Sequence, residues 1–136
     1  MNAEFACTSS PWDFPSFSMT AGETKQLRLP ICDSNHVLVD VAGMDGKLAF
    51  SDFVTPAASL FSVSCQPVFD QECGGHIFVA TLPPVLTVDL CGKYIYQLTA
   101  RGIDGALGVL RGTVIVHRNA DKQSVYDLIK GDNHDN

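Results

Sequence analysis

Four histidines, fifteen carboxylates and five cysteines are the side chains with which this 136-residue chain could do acid–base, metal or nucleophilic chemistry. A hydrolytic nucleophile needs a base within hydrogen-bond reach and a third group to orient that base. No G-x-S-x-G elbow occurs, and His36, His76, His117 and His134 stand singly beside predicted strand ends, turns or the tail, where a histidine is ordinarily a surface residue. The cysteines fall in apolar strand contexts, which raise a thiol's pKa and lower its reactivity. Glycoside hydrolysis would need two carboxyls held roughly 5 to 9 Å apart across a cleft. Asp40, Asp45, Asp52, Asp70, Glu72, Asp89 and Asp104 lie mostly in turns, and turn chemistry accounts for them. Neither Asp33-Ser34-Asn35 nor the stretch from Asp132 to Asn136 has the helix-flanked calcium-loop pattern. There is no phosphate-cradling glycine loop and no heptad. The expectation is a protein with no catalytic residue, no cofactor and no metal: not an enzyme.

Composition narrows the partners. The length suits one domain, and 46% hydrophobic against 18% charged residues is enough to fill a core. A net charge of −6 and a pI near 4.9 argue against nucleic acid, which demands clustered Lys and Arg. The nine basic residues are spread through the chain, which also disfavours an anionic membrane surface. The apolar stretch Ile77 to Leu90 is broken by Thr81, Pro83, Pro84, Thr87 and Asp89 and is too short to span a bilayer as a helix. Met1 to Pro15 has no basic segment followed by an apolar run, so no secretory signal is expected there. Cys7, Cys32, Cys65, Cys73 and Cys91 leave at least one thiol unpaired and contain no C-x-x-C. They predict reduced thiols used as small core hydrophobes in a cytosolic protein, with Cys65 and Cys73, which bracket a loop, as the pair to check.

The elements that would position these groups read as strands. Leu27 and Leu29 alternate with Gln26 and Arg28, and Val37, Val39 and Val41 alternate with Leu38 and Asp40. Leu48 and Phe50 open a third strand, and Phe61, Val63 and Cys65 alternate with serines. Ile77 to Leu82 is apolar enough for a strand buried on both sides, and after Pro83-Pro84 the alternation resumes at Leu86, Val88 and Leu90. Tyr94, Tyr96, Leu98 and Ala100 face Leu110, Val114 and Val116 across the turn Gly102-Ile103-Asp104-Gly105, a hairpin whose Asp-Gly supplies positive φ. Strands about ten residues apart with turn chemistry between them predict an all-β, two-sheet sandwich of about 7–8 antiparallel strands. A small barrel is the alternative. Beyond Arg118, Ser124 can cap a short C-terminal helix with Val125, Leu128 and Ile129 on one side and Gly131 as its stop. That helix packs on its own sandwich or docks on a partner. The expected organisation is an N-terminal arm over 1–20, a sandwich over 21–118, and a helix with a disordered tail over 119–136. The arm carries Phe5, Trp12, Phe14 and Phe17, which either close this domain's core or lie across a neighbouring subunit. Trp12, Phe14, Phe17, Val125, Tyr126, Leu128 and Ile129 are accordingly the candidate partner-binding residues.

The segment Gly92-Lys93-Tyr94-Ile95-Tyr96-Gln97-Leu98, then Asp104-Gly105, then Leu110-Arg111-Gly112-Thr113-Val114-Ile115-Val116 resembles the immunoglobulin-like sandwich domains of tailed-phage structural proteins. These include upper-baseplate N-terminal domains and head or tail fibre domains. Ala21-Gly22-Glu23-Thr24 and Val39-Asp40-Val41-Ala42-Gly43 are similar to the opening strand and a turn of those domains, so the resemblance runs from about Ala21 to Arg118. It implies an immunoglobulin-like fold, assembly with other virion proteins and with further copies of itself, and a place in a bacteriophage virion after synthesis in the host cytoplasm. Gly112 is expected at a bulge or a close backbone approach. The alternative function is a carbohydrate or cell-surface recognition module, in which Trp12 or Tyr126 stacks on the sugar rings of a host surface glycan.

Overall fold

The computed structural model describes residues 3–4, 16–33, 35, 37–53, 59–105 and 107–132. In chain order these form β1 (Ala3–Glu4), β2 (Phe17–Thr20), β3 (Lys25–Leu29), β4 (Asp45–Asp52), β5 (Ser59–Asp70) and β6 (Gly75–Leu82). The turn of helix α1 (Pro84–Thr87), β7 (Gly92–Arg101), β8 (Leu107–His117) and helix α2 (Lys122–Asp132) complete them.

β5 belongs to two sheets. Its first half, to Cys65, pairs antiparallel with β4, and its second half, Gln66 to Asp70, pairs antiparallel with β6. The first sheet thus runs β1-β3-β6-β5 and the second β5-β4-β7-β8-β2. β1 and β2 end the two sheets and do not pair with each other, so the strands form an open sandwich rather than a barrel. Both end strands pair parallel, β1 with β3 and β2 with β8, where the sequence predicts antiparallel strands alone. The two sheets carry the strand neighbours of an immunoglobulin domain, A-B-E-D facing C-F-G. Tyr94, near the start of β7, adds the tyrosine corner of that fold: its hydroxyl donates to the Cys91 carbonyl at 3.0 Å and accepts from the Cys91 amide at 3.1 Å. The architecture is all-β and immunoglobulin-like with a short C-terminal helix: the strand spacing predicts the two-sheet sandwich, and the resemblance implies its immunoglobulin-like form.

The core lies between the sheets. Leu27, Leu29, Phe78, Ala80 and Leu82 of the first sheet meet Leu48, Phe50, Tyr96, Leu98, Val114 and Val116 of the second. Full burial of each large aliphatic side chain among them contributes roughly 1.5–3 kcal/mol. Gly46 lets the layers approach, since a Cβ there would stand 2.7 Å from the Phe78 ring of the other sheet, and Gly112 makes room within the second sheet, where a Cβ would stand 2.5 Å from the Tyr96 ring. The close approach expected at Gly112 is therefore made to a side chain paired directly opposite it. β6 is buried on both faces, as its continuous apolar run implies, with Ile77 at 1% and Phe78 at 0% exposure.

Two predicted strands take other forms. Leu86, Val88 and Leu90 do not extend a sheet. Pro83 stands in extended backbone at the N-cap and Pro84 opens α1, a position its fixed φ and missing N–H suit. Of the three alternating residues only Leu86 falls within the turn of helix; the two prolines, not the apolar pattern, decide the local structure. Val37 to Val41 contributes only the bridge between Cys32 and Leu38. The Val37 amide turns to the Asp33 carboxylate at 3.1 Å while Val39 N–H donates to Ile31 O at 2.7 Å and Val41 N–H to His76 O of β6 at 3.3 Å, so the segment folds back on itself and docks on the start of β6 without adding a strand. Helix α2 is capped by Asp121 rather than Ser124, since Asp121 accepts both the Ser124 amide and the Ser124 hydroxyl. Of the expected N-terminal arm, residues 17–20 are a sheet strand.

Cys32 is disulfide-bonded, whereas Cys65, Cys73 and Cys91 are free. This corrects the reading of the cysteines as reduced thiols throughout. Spacing could not show it, because a single bond among five cysteines has no framework pattern. Cys65 and Cys73 do not pair with each other: Cys65 is buried in the core and Cys73 is exposed.

Candidate functional site

Several groups able to do chemistry are engaged by the fold. Asp70 accepts the Glu72 and Cys73 amides at 2.8 and 3.1 Å and forms an ion pair with Arg28. The Arg28 hydrogen bond, followed by the Cys73 amide, holds its carboxyl below the ordinary carboxylate range. Asp40 accepts the Ala42 amide at 3.0 Å, which with His76 lowers its pKa. His76 Nδ1 lies 3.0 Å from Asp40 Oδ1 but makes no hydrogen bond. No hydroxyl or thiol among the described residues is hydrogen-bonded to that histidine. Burial pushes the Cys65 thiol up to about 12, and it raises Cys73 as well. Among the described residues no group of three His, Cys, Asp or Glu side chains could hold a metal ion, and no helix is long and apolar enough to cross a membrane.

The expected partner-binding residues divide. Trp12 and Phe14 lie outside the described residues. Phe17 is built into the domain: on β2 it pairs with Val114, and its ring meets Tyr96 edge-on at 5.2 Å. Val125 of α2 packs over Gly22. Tyr126 donates its hydroxyl to Asp89, which also draws Lys122 to 3.7 Å, so the hydroxyl's pKa is raised. The helix therefore packs on its own sandwich, and the choice left open by the sequence is resolved by the residues expected to reach outward. Ile129 is half-buried, and Leu128 remains exposed at 57%.

What the structure brings together is a surface that no motif announces. On the second sheet the core takes Leu48, Phe50, Tyr96, Leu98, Val114 and Val116, so the intervening residues form its outer face. Register places Ser64, Lys47, Thr99 and Val109 in one row across that face, Ser62, Ala49, Gln97 and Arg111 in the next, and Ser51, Ile95 and Thr113 in a third. Asp45 and Arg101 pair at one end, and Lys93 and Ile115 at the other. Phe53 stands beside this end with the Lys93 ammonium 4.3 Å above its ring. Phe53, Ile95, Arg111, Gly112 and Thr113 line a shallow depression of about 230 Å³, and Arg111 Nε donates to Gln97 Oε1 at 2.9 Å on its rim. Lys47, Lys93, Arg101 and Arg111 are all exposed, and register puts one acid, Asp45, among them. Four of the nine basic residues of an acidic chain thus share one sheet face. They are distant in sequence; the available signal was that each occupies the polar phase of a strand whose other phase is core.

No protein-family model matches this chain. No curated protein matches it either. Among solved structures, the chain is similar to AggA, the major subunit of aggregative adherence fimbriae type I from Escherichia coli, at 13% identity and a TM-score of 0.31. The similarity covers 77% of this chain and 90% of that one.

Proposed function

We propose that this chain is a non-catalytic structural protein that acts by protein–protein assembly, as a head, tail-fibre or baseplate component of a tailed-phage virion. The observation that supports assembly is the uncovered outer face of the second sheet, where Val109 and Ile115 are exposed at 42% and 44% and Phe53 at 41%. Among the described residues neither helix lies over that face, since α2 packs at Gly22 and α1. A sheet face carrying apolar side chains between fixed charges is suited to burial against another protein. The phage setting rests on the resemblance of the β7–β8 hairpin. It is tested by banding particles from a lysate of producing cells on a density gradient and identifying their proteins by mass spectrometry. The reading expects the chain in the particle band at a fixed ratio to the major capsid or tail protein. A chain found only in the unbanded supernatant, monodisperse and monomeric, overturns it.

The second reading, an exported cell-surface recognition module, is favoured by the Cys32 disulfide, because such bonds persist in oxidising surroundings. Of its proposed stacking residues, Tyr126 is tied to Asp89. It therefore depends on Trp12, and it predicts glycan-array binding that Trp12→Ala abolishes.

A further inference from the structure

The charge excluded from the basic face is concentrated elsewhere on the same chain. Two loops at the first sheet, with the strand ends that flank them, carry Asp33, Asp40, Asp70 and Glu72: the segment 30–44 between β3 and β4, and the turn 71–74 between Asp70 at the end of β5 and Gly75 at the start of β6. They are in contact, since His76 Nδ1 meets Asp40 and a Cβ on Gly75 would stand 2.9 Å from Leu38. Arg28, the base among them, is committed to Asp70. Asp33, Asp40 and Glu72 are exposed. Beside them protrude two apolar side chains that nothing covers among the described residues, Phe69 at 58% and Val37 at 59% exposure. Phe69 stands edge-on to His76 at 5.6 Å, which places its ring within the acidic cluster.

Each surface has what the other lacks. One is basic and contains an apolar depression bordered by Arg111; the other is acidic and presents a projecting aromatic ring. We propose that the outer face of the second sheet docks on the acidic loop pair of a second copy of this chain, with Phe69 of one copy entering the depression of Phe53 and Ile95 of the next. Lys47, Lys93, Arg101 and Arg111 then face Asp33, Asp40 and Glu72. The two surfaces are different patches, so the contact is heterologous: it leaves an unused basic face at one end and an unused acidic loop pair at the other, and it propagates to a ring or a filament. This deepens the assembly reading and rests on it, while naming the partner as the chain itself.

The test is light scattering behind a sizing column, over a range of loading concentrations, at about 50 mM and about 500 mM salt, between which the Debye length contracts severalfold. The full-length wild type is expected to exceed the mass of a dimer at low salt and to fall toward the 14.7 kDa protomer at high salt. Lys47→Glu/Arg111→Glu and Asp40→Lys/Glu72→Lys are each expected to run as monomers at low salt, with thermal melts confirming that both are folded. Their equimolar mixture is expected to recover the wild-type mass, because each reversed surface now finds its complement. A wild type that is monomeric throughout overturns the self-docking, and so does association that either double variant leaves unchanged. The assembly reading fails separately, by the absence of the chain from particles. A monomer that enters particles, and whose Lys47→Glu/Arg111→Glu variant does not, assigns the basic face to a different acidic protein and likewise overturns the second copy as occupant.

Discussion

Asp70 shows how a carboxylate that looks like a catalytic candidate can be wholly engaged by the fold. It sits at 8% exposure, closes the β5–β6 turn through two amides and pairs with Arg28 on the neighbouring strand but one. Its folded pKa is depressed, so the stability it contributes is complete above the unfolded carboxyl value, near 3.9, and is lost as the pH falls through the lower folded value. Asp70→Asn is therefore expected to reduce the melting temperature at pH 7, with the gap to wild type closing as the pH drops below about 4. A constant gap from pH 7 to pH 3 shows that the ion pair does not carry the linkage. Asp40 was legible as a turn residue from Ala42-Gly43 and Asp70 from the polar loop that follows it, whereas Asp45 and Gly46, read as part of a turn, open β4. Which turn would be buried and which base would reach it was not legible, because Arg28 and Asp70 are 42 residues apart and meet only through the β3–β6–β5 order.

At the level of elements, the hairpin was legible because its alternation runs for ten residues on each side of a turn with fixed chemistry, and β7 pairs with β8 in unbroken register from Gly92 to Arg101. Two five-residue runs were not. Val37 to Val41 and Leu86 to Leu90 have the same apolar phase as real strands, and their fates were set by Asp33, whose carboxylate takes the Val37 amide, and by Pro84, whose fixed φ opens a turn of helix. Helix α2 shows a related limit: its apolar side was readable, but whether that side faced inward depended on Gly22, which leaves room for Val125. The two apolar side chains should therefore respond differently. Val125→Ala, at the packed side, is expected to cost about 1 kcal/mol for the lost methyl groups. Leu128→Ala, at 57% exposure, is expected within about 0.5 kcal/mol of wild type. Urea denaturation of both variants checks this, and equal costs would mean that the helix lies otherwise on the sandwich.

For the whole molecule, what mattered was how charge and thiols are distributed over surfaces, and a linear reading averages over both. The nine bases appear dispersed along the chain because each strand brings one or two, yet strand pairing sums those contributions on one sheet face and leaves the loops of the other sheet acidic. The cysteines behave in the same way. Five thiols with no spacing pattern suggested a reduced protein, but their environments separate them: Cys65 is enclosed by the core, Cys73 and Cys91 are exposed, and Cys32 is bonded. The bond constrains the unfolded chain, which in small domains is worth about 2 to 4 kcal/mol. Alkylation read by mass spectrometry tests the distribution directly. Among the described cysteines, the native protein is expected to take up adducts at Cys73 and Cys91, the unfolded, unreduced protein at Cys65 as well, and Cys32 is expected to react only after reduction. An adduct at Cys32 before reduction would show that the bond is absent and that the reading of reduced thiols holds there too.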